Sequence, residues 1–275
     1  MTTVHSVETI LTIHPRSPRE WILQRGARLA FERTDIFLAV SDFIVQWLLQ
    51  LGIEPERIRR HYLGVDNRFW KTSSSPDERL MAAHVVFVGH LSRLKGIRDL
   101  MAASRLILDR VPHQLHIVGD GPLATEVISY ASTDPHVVYH GRLGRHAVRQ
   151  VLDSATVLVL PTQPVQGVVE AAGLVLAEAQ SMGVPAIAYR VGGTPEMLAA
   201  TPELLMPLEN VDALARKIGD ILAMNPTEYR SLSRRLRLWV TENLSIDTAA
   251  TITQRVLEMT AQGVEIPRAL EALAE

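Results

Sequence analysis

The chain has 275 residues, 47% hydrophobic and 21% charged, with a formal net charge of −2 and no cysteine. A packed core is therefore within reach and disorder is not the default, while a disulfide framework and a thiolate metal site are excluded. The near-neutral charge gives no general field for nucleic acid, and no apolar run reaches the ~18–20 residues of a membrane span. Met1 to Glu8 lacks the basic-then-apolar layout of a signal peptide. A reducing cytoplasm fits this composition, and peripheral attachment to the inner face of a membrane is compatible with it.

Short apolar runs alternate with amphipathic stretches along the chain. In order, the runs are Ile10–His14, Ile36–Val40, Val85–Gly89, Leu115–Gly119, Val137–His140, Val157–Leu160 and Ala186–Tyr189. They are rich in Val, Ile and Leu and show little polar alternation, which is how strands buried on both faces read. Between them lie helical patterns, such as Leu100–Ile107, with Leu100, Ala103 and Ile107 on one face, and Leu214–Met224. Repeated βα units predict an α/β fold with a doubly wound parallel sheet and right-handed crossovers. From Pro226 to about Ala261 the pattern is helical, and the last residues read as a tail.

The polar, small-residue stretch Lys71-Thr-Ser-Ser-Ser-Pro-Asp77 reads as a connector. The segment before it is too short for a whole doubly wound domain, and the segment after it is of normal size for one.

Ligands of open parallel sheets sit beyond the carboxyl ends of the strands. Three such loops carry candidate chemistry. The first, Val88-Gly-His-Leu-Ser-Arg-Leu-Lys-Gly96, has Gly89 for close backbone approach and His90, Arg93 and Lys95 as cations for an anion. A plain solvated basic loop reads the same way. The second, Ile117-Val-Gly-Asp-Gly-Pro122, matches a dinucleotide fingerprint only loosely through Gly119 and Gly121. The next strand ends in His140-Gly-Arg142 and not in a ribose-binding acid, so a tight turn near a ligand is the better reading. The third runs from Pro161 to Gly183, where a helix opens near Gly173–Leu174. Its free amides and dipole favour an anion. Glu170 precedes that opening and Glu178 comes after it, and two carboxylates beside an anion site suit polyol hydroxyls. A partly buried Glu178 among Leu176, Ala177 and Ala179 needs a partner. The loop Gly192-Gly-Thr-Pro-Glu196 closes the same rim.

In order and at matching spacing, these motifs resemble the donor half of family 4 retaining glycosyltransferases of the GT-B fold, above all those of bacterial exopolysaccharides such as colanic acid. The resemblance rests on Glu170 and Glu178 with seven residues between them, Ala-Gln-Ser-Met-Gly-Val-Pro185, Gly192-Gly-Thr-Pro-Glu196, Val-Gly-Asp-Gly-Pro122, Lys95-Gly96 and Tyr139-His-Gly141. Upstream, Ala39-Val-Ser41 and His61-Tyr-Leu-Gly-Val-Asp66 resemble the last acceptor-side strand and the interdomain connector. The resemblance implies a partial acceptor-side domain over 1–70, a connector over 71–83, a Rossmann-like donor domain over 84–245, and a helix and tail over 246–275 that return toward the front. It implies that Lys95 contacts the donor diphosphate, Glu178 the ribose, Glu170 the transferred sugar, and the loop of Arg142 and Leu143 the base. The amides of Gly173, Leu174 and Val175 would cradle the phosphates, with Arg93 supporting the leaving group. His14 is a candidate acceptor-side histidine, although a plain loop histidine is the better reading there.

Three departures stand out. His90 takes the place of an arginine, Glu170-Ala-Ala-Gly173 replaces the usual Glu-Gly-Phe-Gly, and only forty residues precede Ser41. The expected activity is hexosyl transfer from a UDP- or GDP-linked sugar to a sugar or lipid-linked acceptor, without a cofactor. No Asp-x-Asp occurs, so no metal is expected. The short front raises a second reading, a donor-binding half of a split or degenerate enzyme whose missing strands come from a separate chain. An epimerase or a phosphorylase using Lys217, a nicotinamide oxidoreductase and a glycosidase are weaker alternatives.

Overall fold

A computed structural model describes residues 1–4 and 17–270. The run Ile10–His14, and with it His14, lies outside the described residues. Two parallel sheets organise the remainder. The smaller has the order β1 (Thr2–Val4), β2 (Phe37–Ala39), β3 (Ile58–Arg60). The larger has the order β6 (Val137–Gly141), β5 (Gln114–Val118), β4 (His84–Val88), β7 (Val157–Leu160), β8 (Ala186–Tyr189), β9 (Leu205–Met206). The central β7, Val-Leu-Val-Leu, is buried at every residue, as a strand covered on both faces must be.

The chain winds outward from β4 to β6, then returns past its start to lay β7 on the other side of β4. The order reverses there, so the loops leaving β4 and β7 diverge around a crevice. Helices α4 (Ile97–Ile107) and α9 (Val211–Leu222) pack together on one face. Their periodic residues Ile97, Leu100 and Ala103 on α4, and Leu214 and Ile218 on α9, are fully or nearly fully buried. The loops after β5 and β6 lead into α5 (Ala124–Thr133) and α6 (Arg145–Asp153). Helices α7 (Leu174–Ser181), α8 (Thr194–Met197) and α10 (Pro226–Asn243) come next, with α10 packed on α7.

The polar stretch before residue 80 contains a helix that the sequence did not announce, α3 (Pro76–Ala82). Pro76 opens it, and Ser75 and Glu78 form a reciprocal capping box. Ahead of it, the Thr72 hydroxyl and the Ser73 amide donate to Asp153 at 2.6 and 2.9 Å. The buried anchor of α3 is Arg79, wholly inaccessible, which donates to the Met182 carbonyl at 2.6 Å and the Ser233 hydroxyl at 3.0 Å. Burial holds its guanidinium below the usual value. Met182 caps the carboxyl end of α7, where the helix dipole favours a cation.

Around the small sheet, α1 (Pro18–Glu32) and α2 (Asp42–Gln50) flank β2. Phe31 packs on Phe37, with ring centroids 5.1 Å apart, yet Trp21, Ile22, Leu23 and Leu29 of α1 are exposed. Helix α11 (Ile246–Gln262) lays Ile252 and Val256 against Leu38, and Arg59 donates to the Ile266 carbonyl. Between the sheets, Val65 donates to the Leu244 carbonyl at 2.7 Å and accepts from the Ile246 amide at 3.0 Å. Among the described residues no helix is long and apolar enough to cross a membrane.

Candidate active site

The loops after β4, β5 and β6 are stitched together by backbone. Gly89 donates to the Val118 carbonyl, Leu91 to Asp120, and Gly119 to Gly141, all at 2.9–3.0 Å. They enclose a cavity of about 480 Å³ lined by Gly89, His90, Gly119, Gly121, Arg142 and Leu143 among others. Six of the residues singled out in the sequence thus meet in one place. His90 and Arg142 are exposed at this rim, and the His90 ring lies so close to Gly121 that a Cβ there would come within 2.7 Å of its Cε1.

Gly119 is the tightest point of that floor. Its φ is +146°, and a Cβ there would lie 1.9 Å from the Gly89 carbonyl oxygen. A side chain at 119 forces the two loops apart. Gly119→Ala is expected to destabilise the chain by about 1–3 kcal/mol, read as a lower urea midpoint at unchanged slope. An unchanged midpoint would show that the loops part freely.

A second group gathers at the crevice between β4 and β7. The Gln163 amide donates to the Leu94 carbonyl at 2.8 Å, tying the two loops together. Lys95 closes a single helical turn begun by the exposed Arg93, and its ammonium pairs with the Glu170 carboxylate. Both side chains are largely buried, at 22% and 13% exposure, so the pair is not a screened surface bridge. Thr162, fully buried, lies with its hydroxyl 3.5 Å from the same carboxylate oxygen. Gly173 is the N-cap of α7, so the next amides, at Leu174 and Val175, open the helix beside Glu170. Eight residues suffice for a usable dipole at that end.

Glu178 sits one turn into α7, away from the Lys95–Glu170 pair and outside the lining of the 480 Å³ cavity. Burial pushes its carboxyl up to about 7, and the charge of Arg145 opposes that shift. Arg145 opens α6 directly after the loop of Arg142 and Leu143, and its guanidinium lies 3.9 Å from the Phe69 ring centroid. The charge of Arg145 reaching Glu178 puts the carboxyl on the side of α7 toward the start of α6.

The sequence reading missed Thr162 and Arg145. Arg145 had a local signal, a cation three residues after Arg142 at a helix start, whereas nothing in the sequence marks Thr162. Gly192 and Gly193 let the next loop lie on the Glu170 segment. A Cβ at Gly192, where φ is +55°, would sit 2.0 Å from the Glu170 carbonyl oxygen, and the Gly193 amide donates to that oxygen at 3.0 Å. Among the described residues no group of three or more His, Cys, Asp or Glu is arranged to hold a metal.

Serine, histidine and aspartate also converge elsewhere. The Ser104 hydroxyl lies 3.1 Å from His136, which contacts Asp134 at 2.5 Å, but Ser104 also bonds His113 and is wholly buried. No substrate reaches that hydroxyl, and the network is structural. The cations, glycines and helix-start amides at the carboxyl ends of β4 to β7 can take a diphosphate, and the two carboxylates can accept from hydroxyls.

A family model described as "Glycosyl transferases group 1" matches residues 82–224. Over 223 residues the chain is 29% identical to WcaL of Salmonella typhimurium, assigned to colanic acid biosynthesis as a glycosyltransferase, covering 78% of this chain and 54% of WcaL. The chain spans about half the length of the curated relatives it matches. Sucrose-phosphate synthase from Thermosynechococcus elongatus superposes with a TM-score of 0.75 at 22% identity, over 95% of this chain and 67% of that one. HepE of Anabaena, solved with UDP, gives a TM-score of 0.74 at 18% identity, over 94% of this chain and 71% of that one. The fold is α/β, of the GT-B type of these structures.

Proposed function

Since the chain belongs to the group 1 glycosyl transferases, we propose that it binds a nucleotide diphosphate sugar and transfers the hexosyl unit to an acceptor hydroxyl with retention, as a family 4 enzyme. The observation that carries this reading is the pairing of Lys95 with Glu170 beside the opening amides of α7. A diphosphate seated there meets a cation and a helix start together, and the sugar it bears meets a carboxylate. Gly89, Gly119 and Gly121 let the nucleotide approach the backbone, Arg142 and Leu143 flank the base, and Glu178 accepts from the ribose hydroxyls.

Cleavage of the anomeric bond builds charge on the leaving diphosphate. Lys95, Arg93 and the Gly173–Val175 amides would stabilise that charge where it forms. The acceptor attacks from the face the leaving group vacates, and a leaving phosphate oxygen takes its proton. This reading uses no metal and no cofactor. The proposed acceptor is a sugar or lipid-linked saccharide on the cytoplasmic side, and a place in polysaccharide or glycoconjugate synthesis is in keeping with the colanic acid biosynthesis named for WcaL.

A thermal-shift panel of UDP-, GDP- and ADP-linked sugars tests donor binding and selects the base. One member should raise Tm by several degrees at a hundred-fold excess over Kd. No shift with any of them, at millimolar ligand, would overturn the reading.

A second reading is favoured by the exposed Trp21, Ile22, Leu23 and Leu29 on α1. There the chain binds donor but needs acceptor-side elements from another polypeptide laid on that helix. Donor binding without hydrolysis or transfer by the isolated chain distinguishes it.

A further inference from the structure

Helix α2 follows β2 of the small sheet, and its first amides need acceptors. Ser41, its N-cap, takes the Ile44 amide at 3.3 Å. The Asp42 and Phe43 amides donate instead to Glu196, at 2.7 Å to Oε2 and 3.1 Å to Oε1. That acceptor comes from the short helix α8 of the large sheet, more than 150 positions away in the chain. One carboxylate thus caps, with both oxygens, a helix belonging to the opposite sheet.

The surroundings are built to hold this contact. Arg60 at the end of β3 bonds Asp42 and the Tyr62 hydroxyl, each at 3.1 Å, and lies 4.7 Å over the Tyr62 ring. Tyr62 in turn lies beside the Glu196 carboxylate. On the other side, Glu196 comes shortly after Gly192 and Gly193, which rest on the backbone of Glu170 and Ala171 with no room for a side chain. A continuous path of contacts therefore runs from the start of α2 through Glu196 and Gly193 to Glu170 and its partner Lys95.

We propose that Glu196 is a positioning residue that latches the two sheets in the closed arrangement by capping α2 across the cleft. Glu196 does not touch the donor. It fixes where the acceptor side stands relative to Glu170, and that last consequence rests on the role given to Glu170 in sugar transfer. The contact is reversible in kind: an opening motion leaves the α2 amides and the carboxylate to water, which solvates both, so the latch can be broken without stranding a buried charge.

The absence of cysteine makes the test clean, because labels go only where they are introduced. Spin labels at Gln50→Cys on α2 and Ser132→Cys on α5, both exposed positions, report the separation of the sheets by pulsed dipolar spectroscopy. In the parent the distances form one narrow population. Glu196→Ala should raise the longer-distance population roughly tenfold, the equilibrium effect of losing two charge-assisted bonds offset by solvation. Glu196→Gln, which keeps one acceptor oxygen, should restore part of the narrow population.

A merely structural role would instead lower the unfolding midpoint without changing the distances in the folded fraction. Unchanged distances in Glu196→Ala overturn the proposal, as does a Glu196→Gln variant that opens as far as alanine does. The readout needs no donor, so its failure is separate from a failure of the thermal-shift panel.

Discussion

Glu178→Ala lowers the affinity for the nucleotide diphosphate sugar by about 10²–10³-fold, the loss of two charge-assisted hydrogen bonds from a shielded carboxylate. Isothermal titration reads this directly, and an unchanged Kd removes Glu178 from the donor site. The environment of Glu178 adds a pH signature. Burial raises its carboxyl from 4.5 to about 7 in the ligand-free chain, with the Arg145 charge opposing. On the proposed reading ribose hydroxyls donate to Glu178, so the ionised form is the one expected to bind. Affinity should therefore rise with pH between about 6 and 8, up to tenfold per unit on the acid side of 7, and the variant should lose that dependence.

The stability of the unliganded chain responds in the opposite sense. Between pH 4.5 and 7 the folded state holds more protons at Glu178 than the unfolded state does, so its contribution falls as pH rises. Glu178→Gln should stabilise the free chain at pH 8 by about 1–2 kcal/mol, a figure discounted for solvent screening, while it weakens donor binding. A side chain that is a liability to the empty fold and an asset to the occupied one has the signature of a ligand contact. Loss of both stability and affinity would mark it as a packing residue.

Lys95→Ala lowers kcat about 10²–10³-fold, the usual effect of removing one group aimed at developing charge. It also strands the Glu170 carboxylate, largely buried, with only the Thr162 hydroxyl nearby at 3.5 Å. On the proposed reading, donor phosphate and Glu170 compete for the same ammonium. Glu170→Gln should therefore bind free UDP more tightly than the parent does, by roughly three- to tenfold, while transferring sugar far more slowly. Titration with UDP, then single-turnover transfer, separates the two effects. Should Lys95→Ala leave both UDP affinity and kcat within a factor of three, the diphosphate does not lie at the crevice between β4 and β7.

The sequence made the large sheet readable because its strands are continuous apolar runs. β4, β5, β6, β7 and β8 fall within a residue or two of the runs singled out. β3 and β9 escaped notice for physical reasons. β3 is Ile-Arg-Arg, with Arg59 buried by hydrogen bonds and not by apolar character, and β9 has two residues. α3 escaped for the same reason as β3, since the side chain it buries is an arginine. At the site, glycine and charge spacing located the loops but not their partners. That Lys95 meets Glu170 is a result of the reversal of strand order between β4 and β7, which no local pattern records. Glu196 was legible as part of a rim, yet its partners are backbone amides at residues 42 and 43, which carry no sequence signature.

Arg79 has a bearing on how this rim responds to a ligand. The helix whose opening amides follow Gly173 is gripped at its far end, where the Met182 carbonyl receives a guanidinium sealed from water. Sliding α7 toward an arriving anion would cost that sealed positive group one of its two acceptors, leaving it the Ser233 hydroxyl alone. The helix is thus a fixed anvil, and what an anion can reshape is the exposed turn at Gln166 and Gly167, between the ties at Gln163 and Glu170.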